Sequence, residues 1–345
     1  MDMTFFNVLW FFLIFVLFAG YFVLDGFDLG AGVLYPFVAK NDHDKAVVRR
    51  SIGPVWDGNE VWLLTAGGAL FAAFAPAYAT TFSGFYLAVM LVLFGLLVRA
   101  VAVEFRGHDP QWGKAWDACF FVGSLLPALL LGVAVGNIYA GIPMDSAGNY
   151  IGIPLLGLIT PFTLLCGLLG LAMFLAAGAT WIALKAPKPS DMQARTAKLR
   201  LPLQVVVLVL FLAVSVYGHF IIQPAMDPAL GIVRWLFALL VVGGIVVSIV
   251  LAKKKDCDKG AFLGQAVAAF SLVGLLATSM FPNLVVASAD SIGPSITLMS
   301  AASSELSLMW MTIITCVGLP LVLVYHVIIY RTFRGRIKDD DLAHY

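Results

Sequence analysis

The stretch SIGPVWDGNEVWLLTAGGALF, residues 51–71, decides how the whole chain is read. From Val61 onward it is apolar, as a membrane helix must be, yet its head carries Asp57 and Glu60, flanked by Trp56, Asn59 and Trp62. Residues three apart lie on one side of a helix. With Pro54 as the first helical residue, the two acids stand about 5 and 9 Å along the segment at 1.5 Å per residue. A carboxylate at mid-membrane costs about 2.5–3.5 kcal/mol even on lenient insertion scales, so acids kept there face a bundle interior or a water-filled path.

The surrounding chain supports a membrane reading. Of its 345 residues 61% are hydrophobic and 12% charged, and mean hydropathy is +0.96, whereas soluble domains run about half apolar and a quarter charged. A formal net charge of +1 argues against nucleic acid as a partner, which calls for a basic face. The cysteines Cys119, Cys166, Cys257 and Cys316 show neither a C-x-x-C pair nor zinc spacing and read as small hydrophobes. The opening MDMTFFNVLWFFLIFVLFAG has no basic n-region and no small-residue cleavage site, so it reads as a retained first span.

A helix needs about 20 apolar residues to cross the hydrocarbon. Nine such runs are expected in an all-α integral membrane protein of one domain, 1–345: 4–38, 54–75, 77–103, 115–139, 159–184, 199–222, 230–252, 261–282 and 304–333. Charge orients them. With the N-terminus outside (periplasmic) and the C-terminus inside (cytoplasmic), 19 of the 21 Lys and Arg residues fall in inner segments, leaving Arg99 within a span and Arg234 near an outer helix end. No tandem repeat is visible.

The informative residues are the ionisable ones. Asp25 and Asp28 lie in DGFDLGAG toward the inner end of the first span, Asp57 and Glu60 near the inner start of the second, Arg99 and Glu104 close the third, and Asp117 opens the fourth. Four successive helices are thereby expected to aim charge at one place. Gly26 and Gly30 form a small-xxx-small pair that lets another helix come close. A bland reading stands beside this: Asp57 complements a helix dipole, and Asp25 and Asp28 form a structural ion pair with Arg99. For a single acid the two readings balance; convergence favours a proton or ion path. Of five histidines only His219 and His326 fall in spans, with no pair at helical spacing such as haem or metal ligation requires, so a hydrogen-bonded core role is expected and no metal site. Phosphate-loop, zincin and nucleophile-elbow motifs are absent.

These residues also carry a resemblance. DGFDLGAG (25–32), WDGNEVWLLTAGGALFAAFAPAYATTFSGFYLAVML (56–91) followed by Arg99, GSLLPALLLGVAVGN (123–137) and SSELSLMWMTIITCVGLPLVLVYH (303–326) resemble subunit II of the cytochrome bd ubiquinol/menaquinol oxidases, in order and over both halves. The resemblance implies two four-helix bundles plus one peripheral helix, in the bacterial inner membrane, paired pseudo-symmetrically with a larger subunit I. Subunit I holds haems b558, b595 and d and the quinol; this chain would ligate none. It would supply proton access, and oxygen access, to a centre that reduces oxygen with quinol and so builds proton motive force. It would also stabilise subunit I, and in some members hold a structural quinone. Small single-span accessory subunits and membrane lipids are the further partners implied.

By the same resemblance Asp57 matches the aspartate of the proton path, Asp25 and Asp28 the acids of the first helix, and Trp62 the tryptophan at the mouth of an oxygen route. Glu60 stands where some relatives have glutamine. Arg99, Glu104, Asp117, Trp56 and Asn59 are the electrostatic and structural residues around them. Two rivals remain open on sequence alone. One is a proton-coupled secondary transporter, although such proteins place sites at the midplane on broken helices. The other is a purely structural scaffold.

Overall fold

The computed structural model describes residues 4–254 and 256–342; Lys255 and His344 lie outside the described residues. The described residues are mostly helical: α1 (Phe5–Val38), α2 (Asp42–Ile52), α3 (Trp56–Ala73), α4 (Ala75–Gly84), α5 (Tyr86–Phe105), α6 (Gly113–Ala140), α7 (Pro161–Lys185), α8 (Asp191–Tyr217), α9 (Gly231–Lys253), α10 (Asp258–Met280), α11 (Leu298–Ala301) and α12 (Glu305–Thr332). A two-stranded antiparallel pair, β1 (Asn283–Val285) with β2 (Ile296–Thr297), sits in the connection between α10 and α11.

Local chemistry sets the helix ends. The side chain of Asn41 caps α2 by accepting from the Asp44 N–H, while Arg49 and Arg50 in its last turn complement the dipole. Thr160 and Thr163 form a reciprocal capping box at α7, with Pro161 following the cap. Ser190 caps α8.

Among the described residues eight helices are long and apolar enough to cross a membrane. The expected run 54–75 is α3, and it is not one of the eight, because its head from Trp56 to Glu60 is polar. It begins at Trp56, with Pro54 in the preceding turn. The break at Phe74, just before Pro76, falls at the expected boundary between 54–75 and 77–103; the run 77–103 is itself two helices, because the backbone leaves helical geometry again at Phe85, between α4 and α5. With neither a proline nor a charge near Phe85, hydropathy does not mark that second break.

α1 and α7 form the centre. α1 packs on α3, α6, α7 and α10, and α7 on α6, α8 and α10. The small-residue face of α1 meets α7: a Cβ on Gly30 would fall on the Phe174 carbonyl and within 3.1 Å of the Gly178 nitrogen. α5 and α6 approach similarly, since a Cβ on Gly123 would stand 2.7 Å from the Arg99 nitrogen. That contact fixes the height of Arg99. α12, by contrast, buries only Leu308 and His326.

Extramembrane segments stitch the ends of the helices. Loop 141–160 bridges to 282–303 through Ile142 beside Ala287 and through the Ser291 hydroxyl, which donates to the Ile142 carbonyl and accepts from the Met144 N–H. At the other end the segment after α12 folds back. Lys185 donates to the Phe333 carbonyl, Arg336 donates to the Ala183 and Ala186 carbonyls, and Arg200 and Arg336 share Asp258 at 2.8 and 2.7 Å.

Candidate functional site

The acids of the first span and the head of α3 do meet, and Arg99 is where they meet. Its side chain is 1% exposed, and Nη2 donates to Asp25 Oδ1 at 2.7 Å and to Glu60 Oε1. Asp25 is fully buried, as is Asp28 one turn on. Asn59 connects them to α3: its amide nitrogen donates to Asp28 Oδ2 at 2.7 Å and to the Leu24 carbonyl at 3.1 Å. The amide oxygen of Asn59 accepts from the Tyr330 hydroxyl of α12 at 3.0 Å. Asp25 Oδ2, Asp28 Oδ1 and Arg99 Nη1 are buried and have no hydrogen-bond partner among the described residues.

The charge balance of this set is its chemistry. Three carboxyl groups surround one guanidinium, and ionising all three would strand two negative charges in a low-dielectric interior at a cost of several kcal/mol each. Glu60 is the member in touch with the outside, with a side chain 25% exposed. With Asp57 and Trp56 it lines one end of an apolar crevice of about 1610 Å³.

Other singled-out residues lie elsewhere. Asp57 is exposed, and its carboxylate accepts from the neighbouring Gly58 N–H. The inward side of α3 is Asn59, Trp62, Ala66 and Ala73, and Asp57 is on the opposite side. Trp62 is buried against Gly20, and its indole N–H donates to His326 Nε2 at 3.2 Å. Trp56 is half-buried beside the crevice. Glu104 is exposed and takes no part.

Asp117 forms a second tier rather than joining the first. It accepts from Tyr35 at 2.6 Å, Arg106 at 2.8 Å and Lys45 at 2.7 Å. Arg106 also bonds Asp42 at 2.9 Å, and Arg49 donates to the Tyr35 hydroxyl at 2.9 Å. Burial pulls the Arg106 guanidinium down, and the hydrogen bond and charge of Asp117 more than reverse this, leaving it above its ordinary value. Seven residues separate Arg99 from Arg106 on α5, so the tiers stand about 10 Å apart. The single convergence expected of four helices is thus two networks.

Sequence reading passed over Tyr330 and Tyr35, neither of which carries a motif. His326 was read as a hydrogen-bonded core residue; Nδ1 faces the Val322 carbonyl at 2.9 Å, while Nε2 accepts from Trp62. Also passed over was a buried amide group in the other half of the molecule, where Gln204 donates to Gln265 at 2.7 Å and to Ser248 at 3.0 Å. Paired glutamines in apolar runs were the available signal. Among the described residues no group of three His, Cys, Asp or Glu side chains could hold a metal ion.

Comparison with known proteins finds relatives over nearly the whole chain. A family model described as cytochrome bd terminal oxidase subunit II matches residues 6–333. The cytochrome bd ubiquinol oxidase subunit 2 of Bacillus subtilis is 36% identical over 337 residues, covering 96% of this chain and 97% of that protein. The cytochrome bd-I ubiquinol oxidase subunit 2 of Escherichia coli K12 is 33% identical over 366 aligned positions, covering 97% and 96%. A chain of the bd oxidase of Geobacillus thermodenitrificans superposes with a TM-score of 0.77 over 96% of this chain and 99% of that one, at 15% identity, and shares the fold.

Proposed function

Because the chain belongs to the cytochrome bd terminal oxidase subunit II family, we propose that it is the proton-supplying half of a quinol:oxygen oxidoreductase. The transporter reading lapses with family membership. In this reading the haem-bearing subunit I is the partner, the complex lies in the bacterial inner membrane, and the N-terminus faces outward. α3 counts as a ninth span, since the polar head that lowers its hydropathy is turned partly onto Asp28 and Arg99. The two four-helix bundles plus one peripheral helix remain what the resemblance implies: α12 stands apart, while α1 and α6, both packed on α7, join the other long helices into one body.

The residues of this chain do not fit a haem. Axial ligation needs donors facing one space. His326 has one ring nitrogen facing the Val322 carbonyl and the other holding the Trp62 N–H, and His219 stands exposed at the far end of α8. Haem chemistry, the reduction of oxygen, is therefore assigned to subunit I, and this chain's work is with protons.

The observation that carries the reading is the buried set of Asp25, Asp28 and Glu60 around Arg99, with free carboxyl oxygens on both aspartates. A proton reaching Glu60 at the crevice wall passes to the Arg99 cluster, where Asp25 and Asp28 exchange it while the guanidinium keeps the set near neutrality. Asn59 fixes the rotamer of Asp28, and Tyr330 fixes Asn59. Asp57, exposed on the same crevice wall, collects protons before Glu60. The apolar outer sides of α3 and α5 are the natural seat of the partner. Trp62, packed beside the cluster, is placed on the oxygen route by resemblance alone.

The test is Asp25→Asn in the complex co-expressed with subunit I. The variant should assemble with the full haem spectrum and consume oxygen at least about tenfold more slowly, short of the ~10²–10⁴-fold that a positioned acid–base group contributes to a chemical step. A wild-type rate in a fully assembled variant would remove the proton role.

A further inference from the structure

The crevice continues past α6 and α7 into a second half between α8, α9 and α10, away from the Arg99 cluster. Its body there is apolar: Phe211, Leu212 and Val214 of α8, Ala238 and Val242 of α9, Leu272 and Leu275 of α10. Its mouth is polar. His219, Arg234 and Ser279 line it together with Tyr139, at the end of the molecule where α6, α8 and α10 finish and α9 begins.

Arg234 is the unusual member. Among the described residues it makes no ion pair, and donates only to main-chain carbonyls, Asp227 at 2.7 Å and Thr278 at 3.4 Å. The carboxylate of Asp227 is turned to the Ala229 N–H instead. Apart from Arg99, the remaining described Lys and Arg residues lie toward the opposite ends of the helices. The helix also departs from regular geometry here, where Gly218–Ile222 form a π turn that carries His219, a distortion often found at functional positions.

The depth of the apolar half is a second measure. From Arg234 to Val242 is eight residues and from His219 to Phe211 eight, about 12 Å each, while Ser279 to Leu272 is about 10 Å. All three match one leaflet of a hydrocarbon core about 30 Å thick, not the full membrane. A partly buried cation above a one-leaflet apolar slot calls for an anionic head on an acyl tail.

We propose that this half of the crevice binds one anionic phospholipid, its phosphate on Arg234 and His219 and an acyl chain between α8, α9 and α10. An isoprenoid quinone would offer Arg234 only neutral carbonyls, with no negative charge to pair with the guanidinium. Such a lipid wedges α8 from α9, helices that meet far less closely than α9 and α10.

The test uses the assembled two-subunit complex in dodecylmaltoside, stripped of lipid and titrated with phosphatidylglycerol or phosphatidylcholine. Bound phosphorus and quinone are both measured, and the haem spectrum reports assembly. The wild type should take up one phosphatidylglycerol per complex and prefer it to phosphatidylcholine. Arg234→Gln should weaken phosphatidylglycerol by about tenfold or more, the loss of a charge-assisted hydrogen bond, with Arg234→Lys largely restoring it. Ala238→Trp should block the slot to both lipids; if it fails to assemble, the Arg234 titrations decide alone. Equal uptake of the two lipids with no effect of Arg234→Gln would overturn the proposal, and so would recovery of quinone rather than phospholipid from the site.

Discussion

Replacing Arg99 by leucine separates a structural ion pair from a proton-handling one. The guanidinium is 1% exposed and its Asp25 partner not exposed at all, so removing it strands carboxylates in the interior at a cost of about 3–5 kcal/mol. For a chain of this size that corresponds to a fall in Tm of about 4–7 °C. Replacing both partners of a buried pair by apolar residues of similar volume is close to neutral. Arg99→Leu/Asp25→Leu should therefore regain about 2 kcal/mol over the single variant; the regain is partial because Glu60 has lost its cation too. Oxygen consumption, however, should stay at the level of Arg99→Leu, because the proton-exchanging carboxyl is gone. The assay is a pair of measurements on the assembled complex, a thermal melt followed by haem absorbance and oxygen uptake with quinol. A double variant as unstable as the single one would refute the energetic reasoning. Recovery of both stability and turnover would show that Arg99 and Asp25 are only a clamp.

Three further outcomes are expected. Asp258→Asn leaves the buried Arg200 without its counter-charge and leaves Arg336 only its bonds to the Ala183 and Ala186 carbonyls, so residues 333–342 should become more sensitive to protease while the helices stay intact; unchanged cleavage would contradict the clamp. Tyr330→Phe removes one hydrogen bond to Asn59, worth about 0.5–1.5 kcal/mol. It should melt only slightly early, whereas Asn59→Leu, which deprives Asp28 of its donor, should be clearly worse; the order of the two melts checks this. The Asp145 carboxyl is held below the usual range by the Asn149 side chain, then by the N–H groups of Asn149 and Ala147. A depressed folded value means the stabilisation is present above the ordinary carboxylate range near pH 4 and is lost as pH falls through the lowered value. After correction for intrinsic exchange, amide protection at 145–150 should hold from neutral pH to about 4 and fall below it; in Asp145→Asn that acid step should vanish.

Membrane-crossing helices were legible because apolar length is a physical requirement of crossing a bilayer, and eight helices among the described residues meet it. The cluster was legible in its membership, since Asp25, Asp28, Glu60 and Arg99 stand out as ionisable groups in apolar runs. What sequence spacing did not settle was direction. Asp57 and Glu60 satisfy the one-side rule for neighbours, yet Asn59, Trp62, Ala66 and Ala73 mark the packed side, and Asp57 falls opposite to it. That stripe at helical spacing was readable and points the head of α3 correctly. Tyr330 was not readable: it reaches Asn59 across 271 residues, from a helix that otherwise barely touches the body. Asp117 was grouped with Arg99 because both lie toward one end of the bundle; a two-turn offset, invisible without helix packing, places it with Lys45 and Arg106 instead.

If buried carboxyls of this subunit carry protons to the partner, the rate at which the complex takes up protons depends on them. The complex is reconstituted in vesicles, and uptake from the inner-face side is followed with a pH-sensitive dye after oxygen is admitted to the fully reduced enzyme. Asp28→Asn should slow uptake at least about tenfold with the haems fully present, and exposed Asp57→Asn should slow it less while leaving the melt unchanged. Proton uptake in Asp28→Asn with the wild-type rate and stoichiometry would contradict the account.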